Sequence, residues 1–123
     1  MFEFAGRLDK EGVARELCEA DIYVSTSESD GASISLMEAM AAGLPCVVTD
    51  IAANREWIDE TCGALFPVGD PKALAEIIDD LAADPALRQS MGSAARSRVV
   101  ARGDRRTNMD VIRRAVEGLE RIR

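Results

Sequence analysis

The stretch S-T-S-E-S-D-G-A-S-I-S-L-M-E-A-M-A-A-G, from Ser25 to Gly43, decides how the rest of the chain is read. An apolar run, Ile22-Tyr23-Val24, leads into it and reads as a short buried strand. A small polar turn containing Gly31 follows, and then Leu36 to Ala42, made almost wholly of strong helix formers. Gly43 and Pro45 close that helix, a glycine just past the C-terminus and a proline shortly after. Strand, tight loop and helix N-terminus is an arrangement in which free backbone N–H groups and the helix dipole face an anion. Asp30 stands before the turn, and Glu38 lies inside the helix eight positions later.

A carboxylate repels phosphate and can only accept hydrogen bonds, so the natural partners of the two acids are hydroxyl groups. Amides for phosphate beside carboxylates for hydroxyls suggest a nucleotide-sugar site. Taken alone, Asp30 reads more readily as a turn former and Glu38 as a solvated helix acid. The longer string around them carries the functional reading.

Composition bounds the alternatives. The chain has 123 residues, enough for one domain, with an ordinary apolar share of 47%. Four percent aromatic content and a net charge of −7 argue against nucleic acid as the partner. The charge is uneven, −13 over residues 1–87 and +6 over residues 88–123. The basic C-terminal region suits anionic lipid, an acidic partner, or the acidic body of its own chain. The arginines from Arg96 to Arg114 carry the lipid reading, a peripheral membrane contact, against a solvated face. Histidine is absent, and Cys18, Cys46 and Cys62 form no C-x-x-C pair. Within the chain this argues against a zinc site, a histidine base and a Ser-His-Asp triad. Three thiols in apolar surroundings suit a reducing cytoplasm. No apolar run approaches the ~18 residues of a membrane span, and the N-terminus lacks a basic-then-apolar signal pattern.

Along the chain, Met1 to Gly6 alternates like a strand, and Asp9 to Ala20 reads as a short amphipathic helix with Asp9 as N-cap. Ala20 to Ser25 is the second strand. Cys46 to Asp50 is the third, an apolar run of the kind a parallel sheet buries on both faces. Asn54 to Asp59 suggests one or two helical turns, and Gly63 to Val68 a fourth strand. Pro71 opens a helix to about Ala83 with Leu74, Ile77, Ile78 and Leu81 on its core side, Asp84-Pro85 separates it from a helix over Ala86 to Ala101, and a last one spans Arg105 to Arg121. The expectation is an α/β fold: a partial Rossmann-like parallel sheet of about four strands, with an α/β core over 1–84 and C-terminal helices over 85–123.

The string D-G-A-S-I-S-L-M-E-A-M-A-A-G-L-P-C-V-V-T-D, Asp30 to Asp50, resembles the signature of retaining, family-4 type glycosyltransferases of GT-B fold. That signature is a Glu, seven residues, a second Glu, and then A-M-A-x-G-x-P-V-V-x-[ST]-D. Asp30 stands one methylene short of the family's first Glu. The likeness extends through F-A-G-R-L-D-K-E-G-V-A-R-E-L-C-E-A-D-I-Y-V-S-T-S before the motif, and through T-D-I-A-A-N-R-E-W-I and G-A-L-F-P-V-G-D-P-K-A-L-A-E-I-I after it.

The resemblance implies the second half of a donor-binding domain, strands three to six, that transfers sugar from a nucleotide diphosphate sugar to an acceptor hydroxyl with retention. No cofactor or protein-held metal is implied. Asp30 would accept bonds from donor-sugar hydroxyls, the amides of Ala32, Ser33 and Ile34 would meet sugar or phosphate oxygens, Gly31 would permit close approach, and Glu38 would hold the ribose. Glu56, in N-R-E-W-I, matches a recurring family acid near the donor cleft. The family's diphosphate-gripping Arg and Lys have no counterpart, since Arg7 and Lys10 belong to a later strand. In a sheet of order 3-2-1-4-5-6 the Ile22–Ser25 strand is then left with an open edge, which invites self-association or a partner supplying the missing acceptor-binding domain and strands. The alternative is a non-catalytic module that binds nucleotide or a partner chain, and a third reading, a GT-B epimerase acting on nucleotide sugars, is disfavoured because the acid motif favours transferases.

Overall fold

A computed structural model describes residue 6 and residues 10–28 and 34–103. Its elements run α1 (Lys10–Glu19), β1 (Tyr23–Ser25), α2 (Ile34–Ala41), β2 (Cys46–Thr49), α3 (Ala52–Arg55), β3 (Gly63–Phe66), α4 (Pro71–Ala82) and α5 (Pro85–Gly103). The three strands form a parallel sheet in the order β1-β2-β3, with Tyr23 opposite Cys46 and Cys46 opposite Gly63. This is the expected parallel α/β sheet. The strand expected near Met1 to Gly6 and the helix expected over Arg105 to Arg121 lie outside the described residues, apart from Gly6 itself.

All four residues of β2 are buried. Successive side chains of a strand point to opposite faces, and here both faces are covered. Cys46 and Val48 join Leu36, Met37, Met40, Trp57, Ile58, Cys62, Ala95 and Val99 in the larger cluster, with Leu17 and Cys18 of α1 against its side. Val47 joins Phe66 and Leu81 on the other face, where Leu74, Ile77 and Met91 also pack. The unbroken apolar sequence of β2 is what a strand covered on both faces requires.

Helix ends fall where backbone chemistry dictates. Gly43 has φ +80, and its N–H bonds to the Met40 carbonyl while Leu44 N–H reaches the Ala39 carbonyl. That paired pattern ends α2. α4 and α5 share a start: Asp70 caps Ala73 N–H at 3.0 Å before Pro71, and Asp84 caps Leu87 N–H at 3.0 Å before Pro85.

The differences from the expected bounds are local. α2 begins two residues early, at Ile34, and α5 runs from Pro85 to Gly103. β3 stops at Phe66 because Pro67 offers no N–H to the ladder. α3 occupies Ala52–Arg55 instead of starting at Asn54, since the Ile51 carbonyl already accepts from Asn54 and Arg55 N–H. Cys18 is only half-buried, whereas Cys46 and Cys62 are fully enclosed, and all three thiols are free.

α5 crosses α2 at two glycines. A methyl group built on Gly92 would collide with the carbonyl oxygen of Gly43. Four residues on, Arg96 Nη1 donates to the Ala41 carbonyl at 3.1 Å, satisfying the end of α2 from the neighbouring helix. Gly92→Ala is therefore expected to destabilise the chain by about 3 kcal/mol. A thermal melt checks this: an unchanged Tm would show that the helices separate at no cost.

Candidate functional site

The C-terminal ends of the three parallel strands and the loops that leave them lie along one edge of the sheet, where ligands of open α/β sheets bind. The loop after β1 leads directly into the N-terminus of α2. On the first two turns of α2, Leu36, Met37, Ala39, Met40 and Ala41 face the core. Ile34, which is 56% exposed, and Ser35 lie on the open side, and half-buried Glu38 falls one turn below Ile34 on that same face.

Two buried polar side chains tie the strand ends together. Thr49, the last residue of β2, donates its hydroxyl to the Ser27 carbonyl in the loop after β1. Asn54 is also buried, and its Nδ2 donates to the Thr49 carbonyl at 2.9 Å and to Thr49 Oγ1 at 3.3 Å. The Asn54 carbonyl in turn accepts from Trp57 N–H at 3.1 Å and Ile58 N–H at 2.8 Å. Asp50 N–H reaches the Phe66 carbonyl at 2.8 Å, joining the exits of β2 and β3. Loops from all three strands are thus linked through the end of β2. In sequence Thr49 reads as an ordinary strand end and Asn54 as an ordinary helical residue, so neither stands out as part of the site. The available signals were Thr49 at the [ST]-D of the family string and Asn54 in the stretch that follows it.

Of the residues singled out from sequence, Asp30, Gly31, Ala32 and Ser33 lie outside the described residues. Ile34 and Glu38 share the open face of α2, and Glu56 is exposed immediately after α3. Arg55 is turned back onto Asp50, with Nε 2.6 Å from Oδ1, and both side chains remain largely in solvent. Trp57 is 1% exposed and belongs to the core, and Met37 and Met40 fill core space.

The basic residues described in α5 meet their own chain, the third of the partners open to them from sequence. Arg88 Nη1 donates to the carbonyls of Leu81 and Ala82, closing α4. Arg98 donates to the Trp57 carbonyl at 3.0 Å and to Asp59 Oδ2 at 2.8 Å. Arg102 lies over the Trp57 ring, 5.1 Å from its centroid. The Arg98 bond, reinforced by the Thr61 hydroxyl, holds the Asp59 carboxyl well below the usual carboxylate range, and Arg98 is raised in return. Burial pushes the Cys46 thiol far up, with Cys62 acting in the same direction, so Cys46 is protonated and unreactive at neutral pH. Among the described residues no group of three His, Cys, Asp or Glu is placed to hold a metal ion. No described helix is long and apolar enough to cross a membrane.

Residues 1–98 match the family model for glycosyl transferases group 1. The chain belongs to that family.

A phosphatidyl-myo-inositol mannosyltransferase of Mycobacterium leprae is 40% identical over 90 residues, covering 70% of this chain and 24% of the relative. An N-acetyl-alpha-D-glucosaminyl L-malate synthase of Bacillus anthracis is 35% identical over 97 residues, covering 78% and 25%. The sucrose-phosphate synthase structure from Thermosynechococcus elongatus matches with a TM-score of 0.79 at 27% identity, over 98% of this chain and 30% of that one. The fold is accordingly that of a GT-B Rossmann-like domain. This group 1 glycosyltransferase chain spans about a quarter of the length of the curated relatives it matches.

The Asp59–Arg98 pair makes the stability of this family member depend on acid. Asp59 titrates lower when folded than when unfolded, so its contribution is present above about pH 4 and fades as the pH falls below that. With both groups partly in solvent, the contribution is about 1 kcal/mol. Asp59→Asn is expected to melt below the wild type at pH 7, with the gap narrowing steadily as the pH falls below about 4. Melting curves that stay parallel across that range would show that the ion pair contributes nothing.

Proposed function

We propose that the chain forms the donor-binding region of a retaining group 1 glycosyltransferase, which moves a sugar from a nucleotide diphosphate sugar to an acceptor hydroxyl. The observation that carries this reading is the placement of the motif: its helix begins at the ligand-binding edge of a parallel sheet, with Glu38 on the open face. The family match and the activities for which the relatives are named, among them a GDP-mannose-dependent mannosyltransferase of Corynebacterium glutamicum, point the same way.

In this reading Asp30 accepts hydrogen bonds from donor-sugar hydroxyls, and Gly31 lets the ligand approach the backbone. The amides of Ala32, Ser33 and Ile34 meet sugar or diphosphate oxygens near the positive end of α2. Glu38 accepts from the ribose hydroxyls, and Glu56 supplies a further acceptor from the neighbouring loop. The leaving diphosphate helps to deprotonate the acceptor, so the protein contributes position and charge stabilisation rather than a nucleophile. No cofactor is required beyond the donor substrate itself. The core over 1–84 carries the donor contacts, and α5 (Pro85–Gly103) braces it. The reading belongs to a cytoplasmic enzyme of glycolipid or polysaccharide synthesis, with an acceptor-binding domain opposite and peripheral membrane contact as a further partner.

A second reading, a non-catalytic module that binds nucleotide or a partner chain, draws on the exposed edge of the sheet. Among the described residues β1 is paired on one side only, and its Val24 is 39% exposed. Edge pairing predicts that the isolated chain self-associates. Light scattering should find species larger than 13.3 kDa, and a monodisperse monomer would remove the edge as an interface.

Transfer is tested in the complete protein. Asp30→Ala and Glu38→Ala are each expected to lower the rate about 100-fold or more, as for loss of a group that stabilises the transition state. Unchanged rates in both would sink the enzymatic reading. Nucleotide binding without turnover in the complete wild-type protein would favour the second.

A further inference from the structure

Glu56 is exposed, yet its backbone is held from a distance. Arg102, one residue short of the end of α5, donates from Nη1 to the Glu56 carbonyl, 46 positions away in sequence. The same guanidinium covers the ring of Trp57, 5.1 Å from its centroid. One turn earlier, Arg98 Nη1 donates to the Trp57 carbonyl at 3.0 Å. Arg98 and Arg102 stand four positions apart, hence on one face of α5.

The two carbonyls they grasp follow the last residue of α3, a helix of four residues. So short a helix offers no later turn to bond its final carbonyls. Within α3 the Asn54 carbonyl holds the N–H side of the turn that carries Glu56, accepting from Trp57 and Ile58. The turn is held on the sheet side by Asn54 and on the opposite side by α5. Trp57 is enclosed in the core, packed within the larger apolar cluster. A cation lying over that ring while bonded to the preceding carbonyl is therefore constrained at two points.

We propose that Arg102 is a positioning residue for Glu56, holding the Glu56 main chain so that its carboxylate meets the donor at a defined place. The inference rests on the donor-side reading of Glu56 given above. It assigns the end of α5 a part in donor affinity without contact with donor. Loss of Arg102 would leave the carboxylate present but misplaced, which weakens donor binding without removing any group that touches it.

Calorimetric titration of the complete protein with a panel of UDP-, GDP- and ADP-linked hexoses tests this. For the donor that binds the wild type, Arg102→Ala should raise Kd about 10-fold. Arg102→Lys should recover most of that loss, because an ammonium can still donate to the Glu56 carbonyl and lie over Trp57. Glu56→Ala should weaken binding by a similar factor, and Arg102→Ala added to it should change Kd by less than about 2-fold, the signature of coupled residues. Fully additive losses would overturn the proposal, as would an Arg102→Lys variant no better than Arg102→Ala. If Glu56→Ala binds weakly but Arg102→Ala binds normally, the positioning role alone falls. If Glu56→Ala binds normally while Asp30→Ala and Glu38→Ala do not, the donor role of Glu56 falls and the positioning role with it. A wild type that binds none of the panel removes both the donor site and this inference.

Discussion

β2 is enclosed on every side: a strand pairs along each edge and an apolar cluster covers each face. A strand in that position can carry almost no polar side chain at bearable cost, which is why Cys46, Val47 and Val48 are apolar without alternation. Thr49 ends the run, and its hydroxyl is kept because it has partners. It donates to the loop after β1 and accepts from Asn54 in α3. The most buried strand of the fold thus fixes the relative positions of the two loops that flank the candidate site. A change at β2 would reach the site through the three hydrogen bonds of Thr49 to Ser27 and Asn54.

α5 acts on the same region from outside the sheet. Its glycine at position 92 lets the backbone approach Gly43 closely, and its arginines then reach main-chain oxygens of α2, of α4 and of the turn after α3. Each accepting group is a carbonyl at a helix end, where partial negative charge accumulates and no intrahelical donor remains. The positive balance of the C-terminal region has a structural use of this kind within the described residues. Arginine suits it, because a planar fork of donors can serve a carbonyl, a carboxylate and a ring face together, as Arg98 and Arg102 do.

The sheet, the helix boundaries near Gly43, Pro71 and Pro85, and the placement of α2 after β1 were legible in the sequence, because each follows from local chemistry. Helix formers extend a helix, a left-handed glycine ends one, and Asp-Pro starts the next. The family string from Asp30 to Asp50 was equally legible, and residues 1–98 match the family model. Less visible was the start of α3. Its first bonds run to the Ile51 carbonyl, and the position of Ile51 is set by the exit of β2 rather than by propensity. The partial exposure of Cys18 was hidden for a similar reason, since its cover depends on how α1 lies against a cluster built from residues far along the chain.

The sequence by itself determined the class of fold, the strand–loop–helix that carries the candidate donor contacts, and the family. These depend on residues close together in the chain, where spacing and side-chain type suffice. Only the tertiary structure decided what the arginines of α5 do, which polar residues are buried, and why Gly92 must be a glycine. Those answers join positions 22 to 55 residues apart: Thr49 with Ser27, Arg98 with Trp57, Arg102 with Glu56, and Arg96 with Ala41. A hydrogen bond across such a separation leaves no periodic trace in the chain. Its partners are chosen by packing, after the local elements have formed.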